Sequence, residues 1–264
     1  MDLGIRGKVA IVTGGSQGIG KATAQALAEE GVHVALCARG IQLLQRTAKE
    51  IQQKSDSTIL PIQADMTVVD DIKQLVLTTV GELGGVDILV NNAVNSIPAS
   101  FLELSDEEWL NHISVKTMGY VRCTREAVPH MIQRGGGRII NIGGMSTREV
   151  GSLRAANGVV TAGVANLTKN LSDQFGRHNI LINCIHPGTT RTARQTDVLV
   201  RRASELGLSL EETERETVRS IPIGRMVEPE DIANLILFLV SDCAAAITGQ
   251  VIAVDGGAGR GVFY

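Results

Sequence analysis

Val9-Ala10-Ile11-Val12-Thr13-Gly14-Gly15-Ser16-Gln17-Gly18-Ile19-Gly20 is an apolar, β-branched run that breaks into glycines, and the residues after it, Lys21 to Glu30, carry a helical pattern. That order is strand, tight turn, helix. Gly14 permits the turn, Gly18 lets backbone N–H groups approach a pyrophosphate at the positive end of the helix, and Gly20 removes the side chain that would hold helix and strand apart. A glycine-rich loop alone is a common turn in α/β proteins. Its place at the first strand-to-helix junction favours a dinucleotide-phosphate site over a plain turn.

Outward from that unit, strand-like apolar runs recur at His33 to Ala38, Ile59 to Gln63, Ile88 to Asn91, Arg138 to Ile142, Ile180 to Ile185 and Val251 to Val254, with helical patterns between them. Continuous apolar strands alternating with amphipathic helices predict a parallel sheet covered on both faces. The expected fold is therefore α/β and doubly wound, in one domain of 264 residues, with ligands bound beyond the carboxyl ends of the strands.

Acidic and basic residues are interspersed and nearly balance, at a net charge of −3, so nucleic acid is not an expected partner and a small-molecule substrate is. The N-terminus, Met1-Asp2-Leu3-Gly4, has no basic segment leading into an apolar core, and the run Leu235 to Val240 is too short to span a bilayer. A cytoplasmic protein without membrane attachment is expected. Cys37, Cys123, Cys184 and Cys243 lack metal-ligand spacing; the first three lie in apolar contexts that read as buried thiols, and neither metal nor disulfide is expected.

The second strand ends Cys37-Ala38-Arg39, where an NAD site would place Asp or Glu on the ribose 2′-hydroxyl. Ala38 is too small for that. Arg39 is placed to pair with a 2′-phosphate, which favours NADP(H) over NAD(H); a solvated arginine at a strand end is the competing reading. Asp65, after the third strand, reads as an acceptor for the adenine amino group, as the N-cap of the next helix, or as both.

At Asn91-Asn92-Ala93 the chain resembles a family. Together with Thr13-Gly14-xxx-Gly18-x-Gly20, His186-Pro187-Gly188 and Thr192, Ile221-Pro222-Ile223-Gly224-Arg225, Thr248-Gly249-Gln250 and Val254-Asp255-Gly256-Gly257, that motif follows the order and spacing of the short-chain dehydrogenases/reductases over nearly the whole chain. The resemblance implies a single Rossmann-type domain with a seven-stranded parallel sheet, and a homotetramer or homodimer built through the two long helices after strands four and five. It implies a cofactor site lined by Gly14, Ser16, Gly18, Ile19, Arg39, Asp65, Asn91, Ala93, Pro187, Gly188 and Thr192. Val94 stands where the family's Asn-Asn-Ala motif ends in glycine, and a branched side chain there crowds the floor beneath a nicotinamide.

The family's proton-moving groups are a tyrosine, a lysine four residues on, a serine and an asparagine. Aligned on Gly137 to Ile142 and on Ala162 to Lys169, the serine position falls at Gly144, the tyrosine position at Asn157 and the lysine position at Thr161; counting from Trp109 to Gly119 puts Lys116 at the asparagine position. The resemblance therefore implies a replaced tetrad. The chain's two tyrosines, Tyr120 and Tyr264, lie outside this segment, and Lys169 lies two turns beyond Thr161. A missing general acid raises the barrier by roughly 3 to 5 kcal/mol, which an already electron-poor centre tolerates and an ordinary ketone does not.

Candidate replacements are His186, which reads as a proton donor or as a packed histidine, and Lys116, which reads as a donor, a ribose contact, a solvated side chain or the partner of a carboxylate. The arginines of Met145-Ser146-Thr147-Arg148-Glu149 and Arg154 read either as carboxylate or phosphate readers or as surface ion pairs. Residues 193–221, with helical patterns Asp197 to Leu206 and Leu210 to Ser220, read as a substrate lid whose apolar underside is Val198, Leu199, Leu206, Leu208 and Leu210. The expectation is an NADP(H)-binding oxidoreductase without the Ser-Tyr-Lys apparatus, acting on an activated or unusual small molecule. Its alternatives are a catalytically silent dinucleotide-binding sensor or structural subunit, and a non-redox lyase or isomerase.

Overall fold

Seven parallel strands, β1 (Val9–Thr13), β2 (His33–Ala38), β3 (Ile59–Gln63), β4 (Ile88–Asn91), β5 (Gly137–Ile142), β6 (Ile180–Pro187) and β7 (Val251–Val254), form one sheet in the order β3-β2-β1-β4-β5-β6-β7. This is the arrangement in a computed structural model, which describes residues 2–261 apart from 96, 97 and 152. Successive strand residues point to opposite faces, and both faces are buried. Val12, Leu36 and Ile140 pack on one side against α1 (Gly18–Glu29), α2 (Ile41–Gln52) and α9 (Pro229–Val240). Ile11, Leu89 and Ile139 pack on the other against α3 (Val69–Leu83) and α5 (Gly119–Gln133). No helix among the described residues is long and apolar enough to cross a membrane.

Several boundaries differ from the sequence reading for local reasons. α1 begins at Gly18, three residues earlier than its side-chain pattern, because glycines carry no pattern yet fit the first turn. β6 runs on through His186 and Pro187, which pair with Ala253 and Val254. Thr192 N-caps α7 (Ala193–Leu206) by accepting from the Gln195 N–H at 3.2 Å, so this helix starts four residues before Asp197. α8 (Leu210–Arg219) follows, capped by Ser209 and Glu212. Before α5, α4 (Asp106–His112) continues through a π-helical segment, Ile113–Met118, and α6 (Ala155–Phe175) follows β5.

The glycine loop is sterically full. A Cβ on Gly20 would overlap the Gly14 carbonyl oxygen and lie 2.7 Å from Asn92 Nδ2. Gly20→Ala is therefore expected to destabilise the fold by about 1 to 3 kcal/mol, the usual range for overpacking. Urea denaturation checks it, and an unchanged midpoint would mean that the helix and strand are free to part.

Candidate active site

β1 leads to β2 and β3 on one side while β4 to β7 build the other, so the strand order switches between β1 and β4. Beyond the carboxyl ends of these strands lies a cleft of about 460 Å³, and Gly14, Ser16, Gly18, Ile19, Arg39, Asp65, Ala93 and Thr192 all line it. Gly14 and Gly18 have φ of +66° and +55°, which favour glycine. α1 has neither a side-chain N-cap nor an acidic residue in its first turn. Its orphan N–H groups and positive end are left for an anion in the cleft. The Thr13 hydroxyl accepts from the Asn92 and Ala93 N–H groups at 2.9 and 3.1 Å, and Asn92 Nδ2 donates to the Thr13 and Gly14 carbonyls at 3.0 and 3.1 Å. The two loops are laced together across the strand switch.

Arg39 is exposed at one end of the cleft beside Ala38, Gly40 and Leu43. Among the described residues no carboxylate pairs with its guanidinium. These residues fit a dinucleotide with an additional phosphate. Asp65 is not a helix N-cap: its Oδ1 accepts from the Thr67 N–H and hydroxyl, both at 2.8 Å, while Val68 caps α3. Val94 lines the cleft and is 44% exposed.

Asn91, Pro187 and Gly188 stand elsewhere. Asn91 lies beneath the cleft, fully buried, donating to Asn141 Oδ1 at 2.9 Å and to Thr124 Oγ1 at 3.3 Å. Asn141 in turn donates to Thr168 Oγ1 at 2.9 Å, so a buried polar ladder joins β4 and β5 to α5 and α6. Pro187 and Gly188 end β6 against β7, where the Gly188 N–H donates to the Val254 carbonyl at 2.9 Å.

Gly144, Asn157, Thr161, Lys116 and His186 are brought together at the end of β5. The peptide between Gly143 and Gly144 is gripped from both sides: Lys116 Nζ donates to the Gly143 carbonyl at 2.7 Å, and the Gly144 N–H donates to His186 Nδ1 at 3.1 Å. Thr161 Oγ1 donates to the Asn157 carbonyl at 2.6 Å and lies 3.1 Å from Ser146 Oγ. Ser146, two residues after the Gly144 position, supplies a hydroxyl that a search at the serine position misses. Asn92 and Arg194 also line the cleft. Only a count of two residues past Thr192 would have pointed to the arginine.

Electrostatics separate the two basic candidates. Lys116 sits in the π-helical segment, a rare geometry often found at functional sites, and is 4% exposed. Burial first, and the nearby Arg194 charge with it, push its ammonium down to about 8, so it stays mostly protonated at neutral pH. His186 is fully buried, and burial together with Arg148 and Lys116 pushes it down to about 4. A neutral ring whose Nδ1 accepts from Gly144 carries its proton on Nε2. Tyr120 is buried and donates to the Ile142 carbonyl at 3.0 Å. Tyr264 lies outside the described residues.

The loop arginines are engaged. Arg148 donates to the Val251 carbonyl at 2.9 Å, and Arg154 pairs with Glu149 at 3.4 Å. In the 193–221 segment Leu199 packs with Ile221 and Met226, whereas Val198, Leu206 and Leu210 are exposed. Leu199 thus fastens the segment to the domain. Among the described residues no group of three His, Cys, Asp or Glu side chains is gathered for a metal ion.

Residues 14–259 match the family described as Enoyl-(Acyl carrier protein) reductase. The short chain dehydrogenase/reductase astE of Aspergillus oryzae is 35% identical over 255 residues, covering 96% of this chain and 95% of that protein. The 3-oxoacyl-[acyl-carrier-protein] reductase FabG of Thermotoga maritima is 33% identical over 256 residues, covering 96% and 98%. L-sorbose reductase from Gluconobacter frateurii, solved with NADPH and L-sorbose, superposes with a TM-score of 0.95 at 32% identity over 99% of this chain and 100% of that one. With the strand order, the glycine loop and the Asn-Asn-Ala turn already in place, these likenesses establish that the chain belongs to the short-chain dehydrogenase/reductase family of oxidoreductases.

Proposed function

We propose that the protein binds NADP(H) and transfers hydride to or from an activated small molecule without a tyrosine–lysine pair. The observation that carries this reading is a cleft furnished for the nucleotide, lined by the exposed Arg39, and beside it a site where Tyr120, the one tyrosine among the described residues, is buried and bonded to the Ile142 carbonyl. NADPH in the sorbose reductase neighbour supports the cofactor choice.

When bound, NADPH supplies a hydride. Arg39 pairs with its 2′-phosphate, the α1 N-terminus holds the pyrophosphate, and Asp65 accepts from the adenine. His186 is a positioning residue here: at neutral pH it has no proton on the nitrogen that meets Gly144, and it holds that peptide in place. The Lys116 ammonium sets a positive potential at the site, which stabilises negative charge building on a conjugated acceptor as hydride adds. Ser146 offers the hydroxyl that orients the substrate, and the buried Thr161 hydroxyl, 3.1 Å from it, holds it in place. Residues 193–221 act as the lid, with Leu199 as its fastening. A homodimer or homotetramer through α5 and α6, working in the cytoplasm, completes the reading.

Rebuilding the tetrad tests it. Gly144 has an extended backbone, and a Cβ there would meet Thr161 Cγ2 at 3.4 Å and Ser146 Oγ at 3.8 Å, both ordinary contacts, so Gly144→Ser fits. The combination Gly144→Ser, Asn157→Tyr, Thr161→Lys and Lys116→Asn is expected to raise ketone reduction roughly 10²- to 10⁴-fold over the parent. The parent is expected to oxidise NADPH with enones or iminium compounds and not with simple ketones. NADPH binding with no turnover of any carbonyl, imine or enone would instead identify a silent nucleotide-binding member. Product formed without nucleotide would identify lyase or isomerase chemistry.

A further inference from the structure

Residues 193–221 leave and rejoin the domain side by side. The Arg191 N–H donates to the Val227 carbonyl at 2.8 Å and the Val227 N–H donates to the Thr189 carbonyl at 3.0 Å, so Thr190 and Val227 pair as a parallel bridge. Both are buried. The bridge fixes the base from which α7 and α8 hang.

Those helices are unequally held. α7 buries Leu199 against Ile221 and Met226 and buries Ala203 as well, whereas α8 buries Thr213 alone and packs Val218 partly against the Leu199 cluster. Few buried apolar contacts mark an element that opens locally. A polar tie runs from α8 to the base. Arg191 donates through Nη2 to Glu214 Oε1 on α8 at 2.6 Å, and through Nε to Oε1 of Glu228, the N-cap of α9, at 3.1 Å. The planar guanidinium thus joins two carboxylates from two elements in one fixed fork. With Arg191 46% exposed and Glu214 32%, the tie is of modest strength and weakens in salt.

The start of the same segment lies on the nucleotide cleft. Thr192 and Ala193 line it, and a Cβ on Gly18 would come within 3.2 Å of Thr192 Cγ2. The first turn of α7 therefore sits closely on the glycine loop, and a dinucleotide reaching the α1 N-terminus has to pass it. Arg191 immediately precedes Thr192, so the tie is made at the point where the cover begins.

We propose that the Arg191–Glu214 pair is a latch that holds this segment down on the cleft, and that its opening sets the rate at which the nucleotide enters and leaves. This rests on reading residues 193–221 as a lid over an NADP(H) site and adds how that lid is held. Neither Arg191 nor Glu214 is among the residues lining the cleft, so the latch acts on exchange in both directions and leaves affinity alone.

The test is stopped-flow NADPH fluorescence on the full-length protein. Glu214→Gln is expected to raise the association and dissociation rate constants together by about 2- to 5-fold, the range for an exposed ion pair, with the dissociation constant within about 2-fold of the parent's. Glu211→Gln makes the same charge change on the same helix but breaks the Glu211–Arg215 pair inside α8, and its rates are expected to stay with the parent's. In about 1 M salt, where screening acts within about 3 Å, the parent and Glu214→Gln are expected to converge. Parent-like rates in Glu214→Gln, or an equal rise in Glu211→Gln, overturn the proposal. Hydrogen exchange without added nucleotide reads the latch independently: the α7 amides are expected to exchange about 2- to 5-fold faster in Glu214→Gln than in the parent. Unchanged exchange there overturns the latch, whereas faster exchange in a protein that binds no NADPH overturns the nucleotide reading and leaves the latch in place.

Discussion

Lys116→Met is expected to stabilise the protein at neutral pH by about 2 kcal/mol while removing its activity. The ammonium is pushed from 10.5 to about 8 by burial and by Arg194, and at about 1.4 kcal/mol per pH unit that depression is a penalty of about 3 kcal/mol in the folded state. Methionine occupies similar volume without the charge, and the orphaned Gly143 carbonyl costs about 1 kcal/mol of the gain. The pH dependence has a definite sign. Below pH 8 the lysine is charged both folded and unfolded, and the native protein bears the full penalty. Between pH 8 and 10.5 the unfolded chain binds more protons than the folded one, so the parent gains stability as pH rises and the advantage of the variant shrinks. Urea denaturation at pH 7 and pH 10 reads this directly. A variant destabilised equally at both values would show Lys116 to be a structural hydrogen-bond donor with no excess charge to relieve.

Arg39→Ala is expected to weaken NADPH binding by roughly 10- to 100-fold and to leave NADH nearly unchanged, because only NADPH carries the 2′-phosphate that the guanidinium would meet under the proposed function. The arginine is exposed, so the difference narrows as ionic strength rises. Adding Ala38→Asp supplies the carboxylate that a ribose 2′-hydroxyl needs, and the pair of changes is expected to reverse the cofactor preference. Fluorescence titration of both nucleotides at two salt concentrations checks it. Equal losses for NADPH and NADH would place the arginine on a group common to both.

The two variants probe the two halves of the candidate site, Arg39 in the cleft wall and Lys116 buried at the end of β5, and those halves were unequally legible in the sequence. The nucleotide half is written in short stretches: the β-branched run into Gly14-Gly15-Ser16-Gln17-Gly18 declares its turn locally, and Arg39 follows at a set distance along the next strand. The chemical half is assembled from distant pieces. Lys116 meets Gly143 across 27 residues of chain, and His186 meets Gly144 across 42. Whether His186 gives protons or only accepts one hydrogen bond depends on burial, which no motif records. Asp65 shows the same division on a small scale, since its place after β3 was readable while its turn with Thr67 was not. Arg194, two residues past Thr192, has the sequence pattern of a surface helix residue, and only the fold sets it in the cleft wall.

By itself the amino-acid order determined the doubly wound sheet, the glycine loop and an arginine at the end of β2, because strand alternation, glycine's freedom and spacing along an extended strand act over a few residues. Only the folded chain decided that a lysine would be enclosed with, among the described residues, a backbone carbonyl and no carboxylate as its partner, that a histidine would be held neutral and that an arginine would stand at the positive end of α7. Desolvation and charge–charge interaction act through space, and the groups that set them are brought together by the tertiary fold.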